Sequence, residues 1–240
     1  SYAAARLPPV SGSRDFTHLH VHSEYSLLDG MGKIAPLLDE TKRLGMDSIA
    51  ITDHGSLYGS IEFVQEANKR GIKPIIGVET YVARRSMQDK EGRADQQPFH
   101  LVLLAADEVG YRNLCRLVTD AHLDGMYYKP RIDLEHLATH SAGLIGLSAC
   151  LNGEIARSLE GDDWNFAVQT AGRYRDIFGR DRFYLEVQDH GLPEQRALNE
   201  KLFRLAPEVG LPLVLTNDLH YVHETQVEAH DRSEEHTSEL

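Results

Sequence analysis

Two cysteines in 240 residues cannot build a disulfide framework, so cross-linking is excluded as the source of this chain's stability. That scarcity fits a reducing compartment, and Cys115 and Cys150 each need an explanation of their own. No apolar run approaches the roughly 18 residues of a membrane span. The opening SYAAARLPPVSGSRD has no hydrophobic signal-peptide core, so a cytoplasmic protein with no membrane partner is expected. Positive charge is short as well: 25 Lys and Arg against 37 Asp and Glu leave a net charge of −12. Broad binding to a phosphate backbone works by Lys and Arg displacing counterions, and this balance argues against it. Nucleic acid would have to meet the chain locally, or through another domain.

What is present is a normal globular composition, 41% hydrophobic and 26% charged, which is enough to bury a core and makes disorder a poor default. Thirteen histidines are the unusual feature, because imidazole suits both metal ligation and proton transfer near neutrality. Residues 1–15 read as a flexible lead-in. Residues 232–240, RSEEHTSEL, are polar, aperiodic and without a cap or turn signal, and they resemble the translation of a sequencing-library adapter. They are read as a non-native tail. The tail holds one arginine and three glutamates, so without it the charge is −10, and His236 is discounted as a ligand.

Short β-branched or apolar runs alternate with segments of helical period across residues 16–231. Strands are expected at 16–22, 48–52, 73–81, 99–105, 144–148, 183–187 and 213–216. Helices are expected between them. One carries Ile34, Leu37, Leu38 and Thr41 and stops at Gly45; others run over 60–70, 108–123, 164–178 and 193–209, with shorter ones at 133–140 and 152–159. Residues 83–98 are polar and unpatterned and read as a surface excursion, and 125–131 as a second irregular stretch. Alternating strands and helices predict parallel pairing. Seven repeats without a Pro/Gly/Ser-rich break favour a single α/β domain closed, or nearly closed, as a seven-stranded TIM-like barrel, with an open doubly wound sheet as the alternative.

In such a barrel the working residues sit where strands end and loops begin. The ligand-type residues follow that rule. In THLHVHSEYSLLDG, strand alternation puts His18, His20 and His22 on one face, and Asp29 follows in the loop. The second strand ends in Asp53 and His54, the third in Glu79; the fourth opens with His100, the fifth runs into Cys150, and the seventh ends with Asp218 and His220. One strand-end histidine alone would mean little. Six strands converging on one rim with titratable groups would be costly through desolvation and repulsion unless cations neutralise them. Cys150 lies at that rim, where a thiolate suits zinc, whereas Cys115, between Leu114 and Leu117 in a helix, reads as a small buried hydrophobe. His122, His136, His140, His190, His223 and His230 read as surface or supporting residues, and His18 as the hardest to place.

The motifs HVH with Asp29, TDHG, GVE, the later His100 and Cys150, and TNDLH resemble the polymerase and histidinol phosphatase (PHP) family. The wider runs FTHLHVHSEYSLLDG, ITDHGSLYG, GIKPIIGVETYV and LTNDLHYV are more similar to the PHP domains that open bacterial DNA polymerase III alpha subunits than to free-standing phosphatases. The resemblance implies a distorted seven-stranded barrel holding three divalent ions, zinc or manganese, on His20, His22, Asp29, His54, Glu79, His100, Cys150, Asp218 and His220. It implies metal-dependent 3′–5′ exonuclease hydrolysis in proofreading, with a single-stranded DNA 3′ end and other replisome subunits as partners. The alternatives are a phosphatase of a small phosphorylated metabolite and a catalytically silent, metal-stabilised scaffold. Asp53, Glu24 and Asn217 are candidate supports for ligating histidines. Lys33, Arg84, Arg85, Lys129 and Arg131 could neutralise substrate phosphates, although a solvated surface charge is the preferred reading of each.

Overall fold

The computed structural model describes residues 16–227, so the expected lead-in, the adapter-like tail and His230 lie outside the described residues. One curled sheet contains β1 (Ser48–Ile51), β2 (Lys73–Val82), β3 (Phe99–Ala105), β4 (Arg131–Ile132), β5 (Leu144–Leu147), β6 (Phe183–Val187) and β7 (Leu213–Leu215). Around it run α1 (Ile34–Arg43), α2 (Ser60–Arg70), α3 (Gly92–Gln96), α4 (Glu108–Leu123), α5 (Leu134–Thr139), α6 (Glu154–Glu160), α7 (Trp164–Phe178) and α8 (Pro193–Val209). The result is the expected α/β fold, a distorted TIM-like barrel.

The helices start and stop for the local reasons their sequences predict. Side chains of Asp107, Asp133 and Asp163 cap α4, α5 and α7 by accepting from Gly110, His136 and Phe166 N–H groups, which have no partner inside the helix. Helix α2 ends at Gly71 with φ 69°, a left-handed turn that glycine adopts without penalty. Helix α1 buries Ile34, Leu37, Leu38 and Thr41 against Ile49, Ile51 and Phe63, so one apolar stripe fixes its position over β1. The larger core lies between the sheet and α4, α6, α7 and α8, and includes Leu103, Leu114, Tyr174 and Phe183. Each fully buried Leu or Phe there contributes about 1.5–3 kcal/mol relative to exposure.

Three expectations are corrected. Residues 16–22 form isolated bridges rather than a strand, because their backbone divides its hydrogen bonds between two neighbours. Ala50 N–H and Thr52 N–H donate to the carbonyls of His18 and Val21, while His22 N–H donates to Leu219 O and Leu219 N–H to His20 O. This segment thereby joins the β1 edge to the chain beyond β7. The sheet is not wholly parallel: β3 runs antiparallel to both β2 and β5. The irregular stretches also gain order, since 83–98 contains the short α3 and residues 131–132 pair with β2 as β4.

The reversal of β3 matters for the site. A strand pointing the other way brings its first residues, not its last, to the rim where β1 and β2 finish. His100 pairs with Tyr81, two residues beyond Glu79.

Candidate metal centre

All nine residues of the expected set meet at one mouth of the barrel. His20 and His22, two apart on the first segment, each place Nε2 3.2 Å from Asp218 Oδ1. Glu79, 1% exposed, is the hub. Its Oε1 lies 2.7 Å from His100 Nδ1 and 3.5 Å from His20 Nε2, and its Oε2 lies 2.6 Å from His54 Nδ1 and 3.7 Å from His22 Nε2. Asp29 Oδ2 is 2.9 Å from His54 Nε2 and 3.9 Å from His220 Nε2. Cys150 Sγ is 3.9 Å from both Glu79 Oε1 and His100 Nδ1. Three overlapping groups have ligand atoms converging within 4.8 Å: His22, His54 and His220; His20, His22 and Glu79; and Glu79, His100 and Cys150. His18 stays outside them and packs edge-on against Phe16.

Backbone geometry at two points is forced. Asp218 has φ 47° and Ala149, immediately before Cys150, has φ 62°. Left-handed backbone costs a non-glycine residue about 1–2 kcal/mol, and such strain concentrates where a side chain must be aimed. The Asp29 loop needs Gly30, because a Cβ there would meet Ser23 O at 1.9 Å.

The supporting groups differ from those the sequence singled out. Glu186, inside the barrel on β6, accepts from His20 Nδ1 at 2.7 Å and is itself held by the Thr216 hydroxyl and by Gln188 Nε2 at 3.0 Å. Sequence reading missed it. The signal was there: in FYLEV, Phe183, Leu185 and Val187 face the helices, which turns Glu186 inward. Asp53 acts through serines, accepting from Ser26 Oγ at 2.8 Å while that hydroxyl lies 3.1 Å from His22 Nδ1. Glu24 is exposed, and Asn217 presents its carbonyl to His190 rather than to a ligand-type residue. His122 is engaged elsewhere, on Gly55 O at 2.8 Å, and His136 Nε2 lies 2.9 Å from Asp120 Oδ2, away from the cluster. Arg131 is neither the solvated surface charge expected nor a rim cation: it is fully buried and donates to the carbonyls of Gly125, Met87, Asp89 and Asp95.

Electrostatically, the centre is a contest between burial and mutual attraction. Burial opposes charge on His20, but Asp218 and Glu186 outweigh it and hold its pKa well above the usual value. The same contest, won by Glu79 and Asp29, raises His54 to about 10. His22 is lowered to about 3 by burial and the neighbouring His54 charge. Glu79 and Asp218 fall below the carboxylate range despite burial, through His100 and His54 for the first and His20 and His22 for the second. Burial, together with Glu79 and Asp218, pushes the Cys150 thiol well up.

Protons alone do not complete this network. His20 Nε2, His22 Nε2, Asp29 Oδ1, Glu79 Oε2 and Asp218 Oδ1 are buried without a hydrogen-bond partner. So is His54 Nδ1, which is close to Glu79 Oε2 but not aligned for a bond. Each such orphan costs about 1–3 kcal/mol; six of the ten partnerless buried side-chain atoms among the described residues belong to the nine-residue cluster, and a seventh, Glu186 Oε2, lies beneath it. Cations among them would satisfy donor-free nitrogen lone pairs and carboxylate oxygens together, so the residues fit a group of divalent ions.

Comparison with known proteins agrees with this reading of the fold. The PHP domain family model matches residues 18–190. The chain is 45% identical over 217 residues to DNA polymerase III subunit alpha of Borreliella burgdorferi, covering 90% of this chain and 19% of that protein. To the subunit of Thermus aquaticus it is 47% identical over 220 residues, covering 90% and 18%. The chain thus spans about a fifth of the length of these curated relatives. Among solved structures, a Bifidobacterium adolescentis protein provisionally described as a metal-dependent phosphoesterase aligns at TM-score 0.52 and 15% identity, over 90% of this chain and 96% of its own. An amidohydrolase of Chromobacterium violaceum aligns at TM-score 0.55 and 18% identity, over 87% and 88%. At those identities the structural likeness speaks for the fold alone. On the family match over residues 18–190, the chain belongs to the PHP domain family.

Proposed function

We propose that this chain is the PHP region of a DNA polymerase III alpha subunit, and that it hydrolyses phosphodiester bonds at the 3′ end of single-stranded DNA. In this reading His20, His22, Asp29, His54, Glu79, His100, Cys150, Asp218 and His220 hold three divalent ions, zinc or manganese, in a cytoplasmic protein that works beside other replisome subunits. The observation that carries it is the convergence of six partnerless buried atoms from ligand-type residues. Imidazoles, carboxylates and one thiolate suit zinc or manganese better than magnesium, which prefers an all-oxygen shell. Bound ions would supply charge neutralisation for a phosphoryl group and a water acidified towards a pKa of about 7.

The chain's own residues prepare that chemistry. Glu186 fixes the Nδ1 side of His20, Ser26 the Nδ1 side of His22, and the Asp218 carbonyl the Nδ1 side of His220 at 3.0 Å. All three imidazoles therefore turn Nε2 to the same space, and no rotamer search is needed when ions arrive. Glu79 turns Oε1 to His100 and Oε2 to His54, so its carboxylate would help hold ions and neutralise their charge. Tyr81, whose ring stacks on His54 and meets His100 edge-on, closes the wall beside them and limits water. No helix of the described residues is long and apolar enough to cross a membrane.

The test is metal analysis of the purified chain together with cleavage of a 3′-labelled oligonucleotide under zinc or manganese. Release of the terminal nucleotide by the parent chain, and its loss with the metal in Asp218→Ala, is the expected result. Hydrolysis of phosphate monoesters without any of the oligonucleotide would favour the small-molecule phosphatase. Bound metal with no hydrolysis would leave the scaffold.

A further inference from the structure

Two cavities flank the centre and share a wall made of Tyr81, His100 and Lys129. The first, about 450 Å³, also receives Arg84, Arg157 and Asn152, and no carboxylate lines it. In a chain of net charge −12, three cations gathered beside a centre that would itself hold divalent ions call for a reason. Arg84 lies over the Phe99 ring at 4.3 Å with its Nε donating to Gln97 O, and Lys129 lies over the Tyr81 ring at 5.4 Å. Aromatic faces hold a cation in place without cancelling its charge. Among the described residues neither Arg84 nor Lys129 makes an ion pair, whereas Arg157 divides its guanidinium between Asn152 at 2.6 Å and Glu160 at 3.3 Å.

The second cavity, about 310 Å³, lies over Asp29 and His54 and has a different chemistry. Tyr25, Leu27 and Tyr58 wall it, and Leu27 and Tyr58 are 81% and 63% exposed. Flat and apolar surfaces left open beside a hydrolytic centre suit the face of a nucleobase, which stacks on aromatic rings whatever its identity.

A small monoester has one phosphate, and the ions would take it. A separate cationic pocket has work to do only if a second phosphate follows the first. We propose that the two cavities form a track for single-stranded DNA, with the terminal base in the Tyr25–Leu27–Tyr58 cleft, the next phosphate inward at Arg84, Lys129 and Arg157, and the scissile bond between them. This rests on the phosphoesterase reading and assigns residues to the subsites of the strand it would cut.

The test measures binding of a phosphorothioate-linked dT8 strand to the zinc-loaded chain by fluorescence anisotropy, with hydrolysis of bis(4-nitrophenyl) phosphate followed separately. Arg84→Gln with Lys129→Gln weakens dT8 binding about tenfold, and losing the one phosphate the two cations share lowers the salt slope of log K by about 0.7. Lys73→Gln, which removes one positive charge at the far end of β2 from Glu79, changes affinity less than about twofold. Tyr58→Ala weakens dT8 about tenfold, by the usual size of one base–aromatic stack, but a strand with an abasic 3′ terminus much less. Parent-like binding by the double variant, equal weakening of the abasic strand by Tyr58→Ala, or tighter binding of a sugar bisphosphate than of dT8 overturns the track. Diester hydrolysis without strand binding removes the track and leaves the phosphoesterase. Strand binding dependent on Arg84 and Lys129, with no diester hydrolysis, removes the phosphoesterase and leaves the track.

Discussion

Replacing Glu186 by glutamine isolates one buried contact beneath the proposed metal centre. The Glu186 carboxylate is 2% exposed and has His20 Nδ1 at 2.7 Å, so it both selects the tautomer that turns Nε2 towards the ions and increases the basicity of that nitrogen. Glutamine keeps the shape and one acceptor but loses the charge. Changes of this kind in a partner of a ligating histidine cost about 10–100-fold in metal affinity, which corresponds to about 1.4–2.8 kcal/mol. That range agrees with the about 1.5–3 kcal/mol of a hydrogen bond to a charged group. A second effect must be measured apart from it. Glu186 Oε2 is buried with no partner, so the amide nitrogen placed there would be a buried donor without an acceptor and would cost about 1–3 kcal/mol of fold stability. Competition against a chromogenic zinc chelator gives the affinity, and urea unfolding of the metal-free chain gives the stability. Glu186→Gln with zinc affinity within about twofold of the parent, in a chain that unfolds normally, would refute the role assigned to this carboxylate.

The remaining predictions use other parts of the molecule. In the metal-free chain His54 is held at about 10, above its ordinary 6.5, so its contribution to stability is complete below about pH 6.5 and is lost as the pH rises through 10. Thermal unfolding in a chelator should therefore show a falling midpoint over that window, a decline that zinc loading reduces because a ligating His54 carries no extra proton. Cys150→Ser replaces the only soft donor of the set and should lower zinc retention after dialysis about tenfold or more while affecting manganese less, as read by elemental analysis. Arg131→Leu leaves the carbonyls of Gly125, Met87, Asp89 and Asp95 without their donors and should destabilise by about 3–5 kcal/mol in urea titrations. Arg131→Lys should recover only part of that, since an ammonium has three donors and no fork.

Much of the fold can be read from residue order, and so can the strand-end clustering of ligand-type residues, whereas the choice of nine among them comes from the resemblance to the PHP family. Helices α2, α4, α7 and α8 begin and end where cap residues and apolar periodicity predict, because those signals act within one or two turns. His20, His22, His54, Glu79, Cys150, Asp218 and His220 stand at or just beyond strand ends, and each is a side chain whose burial needs a charge partner. Glu186 was overlooked because its strand reads as apolar, and only its inward parity within the barrel reveals that a carboxylate lies under His20. Arg131 reads as a solvated surface charge because sequence shows its charge but not the four carbonyls folded around it.

Local sequence therefore determined which of the longer segments are helical, where they end, and which side chains demand compensation for burial, though not the short α3. It could not determine strand direction. Antiparallel β3 is set by pairing with β2 and β5, far away in the chain, and that reversal alone carries His100 from the start of its strand to the rim where Glu79 and Cys150 lie. Residues 16–22 are likewise no regular strand by themselves, and only their shared bonding to β1 and to Leu219 places His20 and His22 opposite Asp218. Periodicity is a property of neighbours along the chain, whereas a ring of converging ligands depends on hydrogen bonds between distant segments, which only the closed barrel supplies.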